Sequence, residues 1–431
     1  MAPETVGYMA LWTGNPDFRR LFLARMVSLF GDWFNLLAVL ALLREIGAVS
    51  ASSFGAVLIL KTLPIVFALP FAGLVVDRMP RTLVMIGADV ARAAVVALML
   101  LIAWWPNPMI LYALVVCQAV ASAFFEPARN ALLPDIVEPG ALTAANAMGA
   151  AMWSTMLAFG SAAGGLLTAW LGWKAAIGVD IFTYLLSAVF LWQIREPAHH
   201  VVTQATARPA EFLRDLAGGA LYLSRRPRAR SLALVKAAWS TAGAITLVLT
   251  VLGEHRLSVA GMPLVAVSVL YVARGIGTGL GPFVARRISR SEPAAMERLI
   301  TVGFGMGGLA YLLLPWAPSL APAALIVVFG HVGGATVWVF STIRLQQMVP
   351  TDVRGRVFAI ENAAFTVVVA ASTAVWGWAT DRNVFSLEHA TMALGVVLTA
   401  AGAWWAFRGW RLGWATQPPE PGSDPLNSPR D

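Results

Sequence analysis

The sequence predicts an all-α integral membrane protein with twelve spanning helices in two six-helix pseudo-repeats. Three observations carry that reading. Hydrophobic residues make up 58% of the 431 positions and charged residues only 13%, a balance too apolar for an ordinary soluble domain. Apolar runs of about 17 residues or more, enough to cross a bilayer, recur twelve times, centred near residues 31, 65, 93, 118, 156, 184, 243, 273, 307, 333, 368 and 397. They divide six and six about one long polar interruption, from Arg195 to about Arg230.

These limits give a first half at 1–196, a basic linker at 197–231, a second half at 232–412 and a tail at 413–431. From Arg208 to Arg230 the linker reads as a short amphipathic helix on the membrane surface. The tail holds five prolines from Thr416 on and reads as disordered. Basic residues set the orientation. With the N-terminus in the cytoplasm, 22 of the 31 lysines and arginines fall in inner segments and only Arg44, Lys174, Arg256 and Arg382 in outer loops, so both termini are expected inside.

The net charge of +8 does not point to nucleic acid, because the arginines are scattered between apolar segments and form no patch with exposed aromatics. Lipid headgroups and topology account for them. Cys117 is the single cysteine and lies in an apolar run, which excludes an intramolecular disulfide framework and a cysteine metal site. No Walker-type loop, His-Glu-x-x-His or nucleophile elbow is present, so no cofactor, metal or enzyme activity is expected, and an ion gradient is the expected energy source. Met1 to Asn15 is polar and shows no cleavable signal peptide. Only three of the basic residues are lysines, which hints at a GC-rich bacterial genome.

The halves repeat. Arg129, Pro134, Asp135 and Asn146 recur as Arg344, Pro350, Asp352 and Asn362, at offsets of 215 to 217 residues. A hairpin of about five residues joins the second and third spans, so its charges sit against helix ends. It contains Gly73, Asp77, Arg78 and Arg81, and on residues alone Arg78 and Arg81 read equally as positive-inside anchors. In the second half Arg286 matches Arg78, and Ala285 stands where Asp77 would be.

With these four residues the hairpin resembles the loop between membrane helices 2 and 3 of the major facilitator superfamily, Pro80 replacing a glycine of that pattern. Ser28 to Trp33, Phe125 to Asp135, and Gln346 through Ala359 look like the branch containing macrolide and siderophore exporters. Two features depart from proton-coupled drug exporters: Val115 and its apolar neighbours stand where the fourth helix would carry arginine, and Ser161 replaces a proline in the Gly160–Gly165 run. The resemblance implies the major facilitator fold, with cargo bound between the halves near the bilayer midplane. It further implies a monomeric secondary transporter in a bacterial plasma membrane, working by alternating access and exporting a small amphipathic drug or siderophore-type compound against protons. An importer or lipid flippase on the same scaffold, or a non-transporting receptor, are the alternatives. Asp77 is then expected to cap a helix N-terminus across the halves and hold the outward-open state, oriented by Arg78 and Arg81.

Ten charges fall inside predicted spans: Asp32, Asp89, Glu126, Asp180 and Glu361 against Arg25, Lys61, Arg92, Lys236 and Arg274. Left unpaired, at roughly 2.5 to 3.5 kcal/mol each, they would cost about 30 kcal/mol, so most are expected to pair or face water. Asp89 and Arg92 lie three apart and are expected to touch. Glu126, Lys236 and Glu361 lie near cytoplasmic ends, and Asp180 sits on the sixth helix, peripheral by family analogy; all four read as structural. Asp32, mid-span with Gly31 beside it, is the candidate proton or cation site unless it pairs permanently with Lys61 on the second span. Arg274 is expected either to meet an anionic cargo group or to pack on helix-end carbonyls. His331 reads as a core residue.

Trp33, Trp153, Trp239 and Trp338 lie on helices that border the cavity by analogy and suit amphipathic cargo. Trp104, Trp105, Trp170, Trp173, Trp316, Trp404 and Trp410 read as an interfacial aromatic belt. Gly160 with Gly164, Gly277 with Gly281, and Gly303 with Gly307 have the spacing of close helix contacts.

Overall fold

The protein is described by a computed structural model covering residues 7–195, 209–258, 262–289 and 292–411. The expected tail at 413–431 and the first part of the linker, with Arg208, lie outside the described residues, as do the side chains of Arg214, Asp352 and Trp410.

A short α1 (Tyr8–Gly14) precedes α2 (Pro16–Glu45), the first span. Asn15 starts α2 by accepting the Phe18 N–H through its side chain, with Pro16 in the first turn. The second span is broken into α3 (Ala51–Leu60) and α4 (Leu63–Arg78). At the break the Thr62 hydroxyl donates to the carbonyls of Leu58 and Ile59 at 3.0 and 3.2 Å, which satisfies backbone groups that lipid cannot. Spans three and four are α5 (Arg81–Met99) and the pair α6 (Pro108–Ser122) and α7 (Phe125–Ile136).

The next helix, α8 (Leu142–Trp192), has 51 residues. A straight helix of that length would run about 76 Å, far beyond one bilayer crossing. Gly172, with φ 79° and ψ 169°, breaks it, a conformation only glycine adopts without strain. Thus α8 supplies spans five and six. The linker contains α9 (Pro209–Arg225), and the seventh span is α10 (Pro227–Ser240) plus α11 (Ile245–His255). Its break is bridged from another span: Ser372 donates to Thr241 O at 2.8 Å and accepts from Ala244 N at 3.3 Å. The remaining spans are α12 (Pro263–Ser289), α13 (Pro293–Leu313), α14 (Leu320–Met348), α15 (Thr351–Asp381) and α16 (Leu387–Arg411). Eleven helical segments among the described residues are long and apolar enough to span, and dividing α8 at Gly172 gives the expected twelve.

One apolar core runs through both halves. It joins Leu37–Leu43, Phe54 and Val57 of the first half to Leu247–Leu252 and Leu264–Tyr271 of the second. A second core, with Phe18, Leu21, Met85, Phe125 and Leu132, belongs to the first half alone, at the end nearer the N-terminus. The halves are therefore welded at the end away from the termini.

The aromatic belt is present at Trp104, Trp105, Trp170 and Trp316, all strongly exposed near span ends, with Trp404 stacked on the Arg408 guanidinium. Trp173 departs from it. The turn at Gly172 folds this ring inward, where it is 4% exposed and its Nε1 donates to Glu45 Oε2 at 2.6 Å.

Candidate functional site

Seven of the ten intramembrane charges are in ion pairs. Asp89 and Arg92 pair as expected, with the Ser187 hydroxyl donating to Asp89 Oδ2 at 2.6 Å and Arg92 lying over the Tyr184 ring. Arg25 pairs with Glu126 at 2.6 Å and approaches Asp32 at 3.9 Å, while Arg129 holds the other Glu126 oxygen at 2.9 Å. Lys236 pairs with Glu361 at 3.1 Å beneath the Trp338 ring. Lys61, Asp180 and Arg274 stand outside any ion pair among the described residues.

A cavity of about 310 Å³ in the first half is lined by Arg25, Asp32, Trp33, Lys61, Gln118 and Glu126, with mainly apolar neighbours. Within it a polar chain crosses four spans. The Tyr184 hydroxyl donates to Asp32 Oδ1 at 2.5 Å, and Gln118 Nε2 donates to the Tyr184 oxygen at 3.0 Å. Lys61 Nζ donates to Asn35 Oδ1 at 2.5 Å and to Gln118 Oε1 at 3.4 Å. Lys61 and Asp32 thus do not pair directly here but are joined through neutral linkers. Lys61 leaves its helix at the break between α3 and α4, and its ammonium meets Asn35, one turn beyond Asp32.

Asp180 differs from the other buried acids in its surroundings. It is fully buried, and neither carboxylate oxygen has a hydrogen-bond partner among the described residues. It packs on Gly31, where an added Cβ would collide with Asp180 Oδ1 and Thr183 Oγ1, so the sixth span touches the first at the level of Asp32. A polar stripe at Asp180, Thr183, Tyr184 and Ser187, spaced as one helix face, was the signal available in the sequence.

In the second half Arg274 Nη1 donates to Thr246 Oγ1 at 2.6 Å, just past the break of the seventh span. Nearby, Tyr271 bonds Thr250 at 2.7 Å, and the Tyr311 hydroxyl lies 3.1 Å from His331 Nε2. Trp33 meets Tyr271 edge-on across the halves, with centroids 6.2 Å apart. The other three proposed cavity aromatics divide. Trp239 packs inside the second half on Phe304, in space left by Gly307 and Gly334. Trp338 covers the Lys236–Glu361 pair and meets Phe365. Trp153 is exposed.

In the hairpin, Arg81 pairs with Asp135 and donates to Ala131 O at 3.0 Å, bracing the third span against α7. Asp77 and Arg78 are exposed and make no hydrogen bond or ion pair among the described residues. Gly73 has open space on its Cα. The expected cap by Asp77 across the halves is therefore not formed here. The opposite end is tied: Arg44 pairs with Glu254 at 3.0 Å, and Asp381 accepts from the N–H groups of Ala51 and Ser52.

Comparison with known proteins places this arrangement. The chain is 24% identical to the MFS-type transporter YfiS of Bacillus subtilis over 367 residues, covering 83% of this chain and 85% of that protein. It is 27% identical to the MFS-type transporter y4rN of Sinorhizobium fredii over 394 residues, covering 89% and 93%. The putative bacilysin exporter BacE of Bacillus subtilis is 28% identical over 180 residues, 42% of this chain and 44% of that one. Among solved structures, a bacterial homolog of the human lysosomal transporter Spinster, inward-facing and unoccupied, shares the fold with a TM-score of 0.69 at 15% identity, covering 94% of this chain and 99% of that chain. The nucleoside transporter NupG shares it with a TM-score of 0.66 at 11% identity, covering 93% of this chain and 99% of that chain. The family model of the Major Facilitator Superfamily matches residues 21–368, and with its helices, halves and hairpin as described, the chain belongs to that superfamily.

Proposed function

We propose that this protein is a secondary active transporter that alternates between two states and exports a small amphipathic compound against an inward flow of protons. On this reading it sits in a bacterial plasma membrane with both termini in the cytoplasm, and the conformation described is inward-open. The welded core, the Arg44–Glu254 pair and the Asp381 cap close the outer end. Asp77, at the inner end, is unlatched.

The observation that carries the reading is Asp32. It is a half-buried carboxylate in the wall of a cavity that also holds Arg25, Lys61, Arg92, Gln118 and Glu126 among apolar residues, hydrogen-bonded to Tyr184 and near the Arg25–Glu126 pair. Mid-span ionisable groups facing a cavity are characteristic of proton relays. The apolar part of the lining and Trp33 suit cargo with an apolar body, and Arg274, a mid-span cation outside any ion pair among the described residues, suits a negatively charged cargo group. The likeness to a putative bacilysin exporter supports the outward direction.

The test is reconstitution in liposomes with an imposed pH gradient and a panel of fluorescent amphipathic compounds. The wild type moves at least one compound faster with the gradient than without it. Asp32→Asn retains gradient-free exchange but loses the gradient-driven component. Identical fluxes in wild-type, Asp32→Asn and empty liposomes defeat the transporter reading.

A further inference from the structure

Asp32 and Asp89 have partners: the Tyr184 hydroxyl and Arg25 for the first, Arg92 and Ser187 for the second. Asp180 has no ion pair among the described residues. Its side chain is fully buried, and neither oxygen meets a donor at full hydrogen-bond geometry, the Asn35 amide being the group that faces them. The nearest hydroxyl on its own helix, Thr183 Oγ1, donates at 2.8 Å to the backbone carbonyl of Asp180 and is thereby committed. A bare carboxylate in dry surroundings is strongly disfavoured, whereas the neutral acid is tolerated.

The groups that face Asp180 come from every packed element. Asp32 and Asn35 face it from α2, Lys61 from the break between α3 and α4, Arg92 from α5, and Tyr184 from its own helix. Arg92 is committed to Asp89. Lys61 is not committed to any acid: its ammonium rests on Asn35 and Gln118. One unpaired acid and one unpaired base therefore lie on either side of Asn35.

We propose that Asp180 is the carboxylate that binds the coupling proton, and that Lys61 answers its release by turning from Asn35 to the new carboxylate. The inference rests on the proton-coupled reading above: Asp32, in the cavity wall, relays the proton between water and the protein, and Asp180 is the group on which it rests. When the Asp180 O–H bond breaks, the proton passes to water by way of Asp32, which lines the cavity beside Gly31, and Lys61 keeps its own protons, so one charge appears and is paired. Asp180 touches Gly31 directly, so a change of charge at the sixth span acts on the first span beside Asp32. A proton taken up from one side then changes the packing that both halves share.

The experiment uses the full chain in lipid with two readouts. The first is infrared detection of a protonated carboxyl group. The second is the distance between spin labels at Val49→Cys and Phe385→Cys, across the outer end, on a Cys117→Ser background and measured between acid and alkaline pH. In the wild type a carboxylic acid band and a pH-dependent distance are expected. Asp180→Asn, which mimics the neutral acid, loses the band and the pH response; Asp32→Asn keeps the band. A band that survives Asp180→Asn, or a variant whose distance still follows pH, overturns the inference.

If the response disappears in Asp32→Asn alone, proton coupling stands and the role of Asp180 falls. If the wild type shows neither band nor response, both readings fall. A distance that follows sodium at fixed pH, but not pH, replaces the proton by a metal cation and also overturns the proposal. Should Asp180→Asn fail to insert, Asp180→Ser and the shift of the wild-type band on 13C labelling of the aspartate carboxyls decide the same question.

Discussion

Asp381, the last residue of α15, accepts hydrogen bonds from the backbone N–H groups of Ala51 at 2.8 Å and Ser52 at 3.0 Å, so the second half caps the first turn of α3 in the first half. Those N–H groups have no partner within their own helix, and a carboxylate also meets the positive end of the helix dipole. The neighbouring Arg44–Glu254 pair has an exposed arginine and adds less.

Losing such a cap costs about 0.5 to 2 kcal/mol. Asp381→Ala is therefore expected to shift the equilibrium between closed and open outer ends by roughly two- to thirtyfold toward open. Spin labels at Val49→Cys and Phe385→Cys, on a Cys117→Ser background, would report it as a larger population of long distances. An unchanged distribution means that the cap does not hold this state.

Asp77 is the counterpart at the other end of the same span, exposed and without a partner in this conformation. Asp77→Asn is expected to leave membrane insertion and thermal stability unchanged here while slowing transport, because on the proposed alternating reading the cap forms only in the opposite state. Ala285 provides no matching acid in the second half. Initial rates of transport in liposomes decide it: kinetics equal to wild type rule the gate role out.

The pair of Lys236 and Glu361 is buried, at 6% and 2% exposure, and joins α10 to α15 under Trp338. Removing one partner strands the other charge. Lys236→Met is expected to destabilise the second half by about 3 to 5 kcal/mol, and the double variant Lys236→Met/Glu361→Leu to recover much of that loss. Thermal unfolding in detergent measures both; a double variant no more stable than the single one contradicts the desolvation argument.

The sequence by itself determined the membrane class, the twelve spans, the two halves and the list of charges that had to find partners. Hydropathy and length act locally, so Pro16–Glu45 or Leu320–Met348 reads as a span whatever surrounds it. Asp89 and Arg92 were legible for the same reason, being three apart on one helix. The tertiary structure alone decided which charge meets which across spans. It set Lys61 on Asn35 rather than Asp32, brought Asp180 of the sixth span against Gly31, turned Trp173 inward and Trp239 into the second half, and placed Asp381 over the start of α3. Those outcomes depend on the rotation and closeness of whole helices. In lipid these are set by small-residue contacts and interhelical hydrogen bonds rather than by a hydrophobic gradient along the chain, and spacing within one segment carries no record of them.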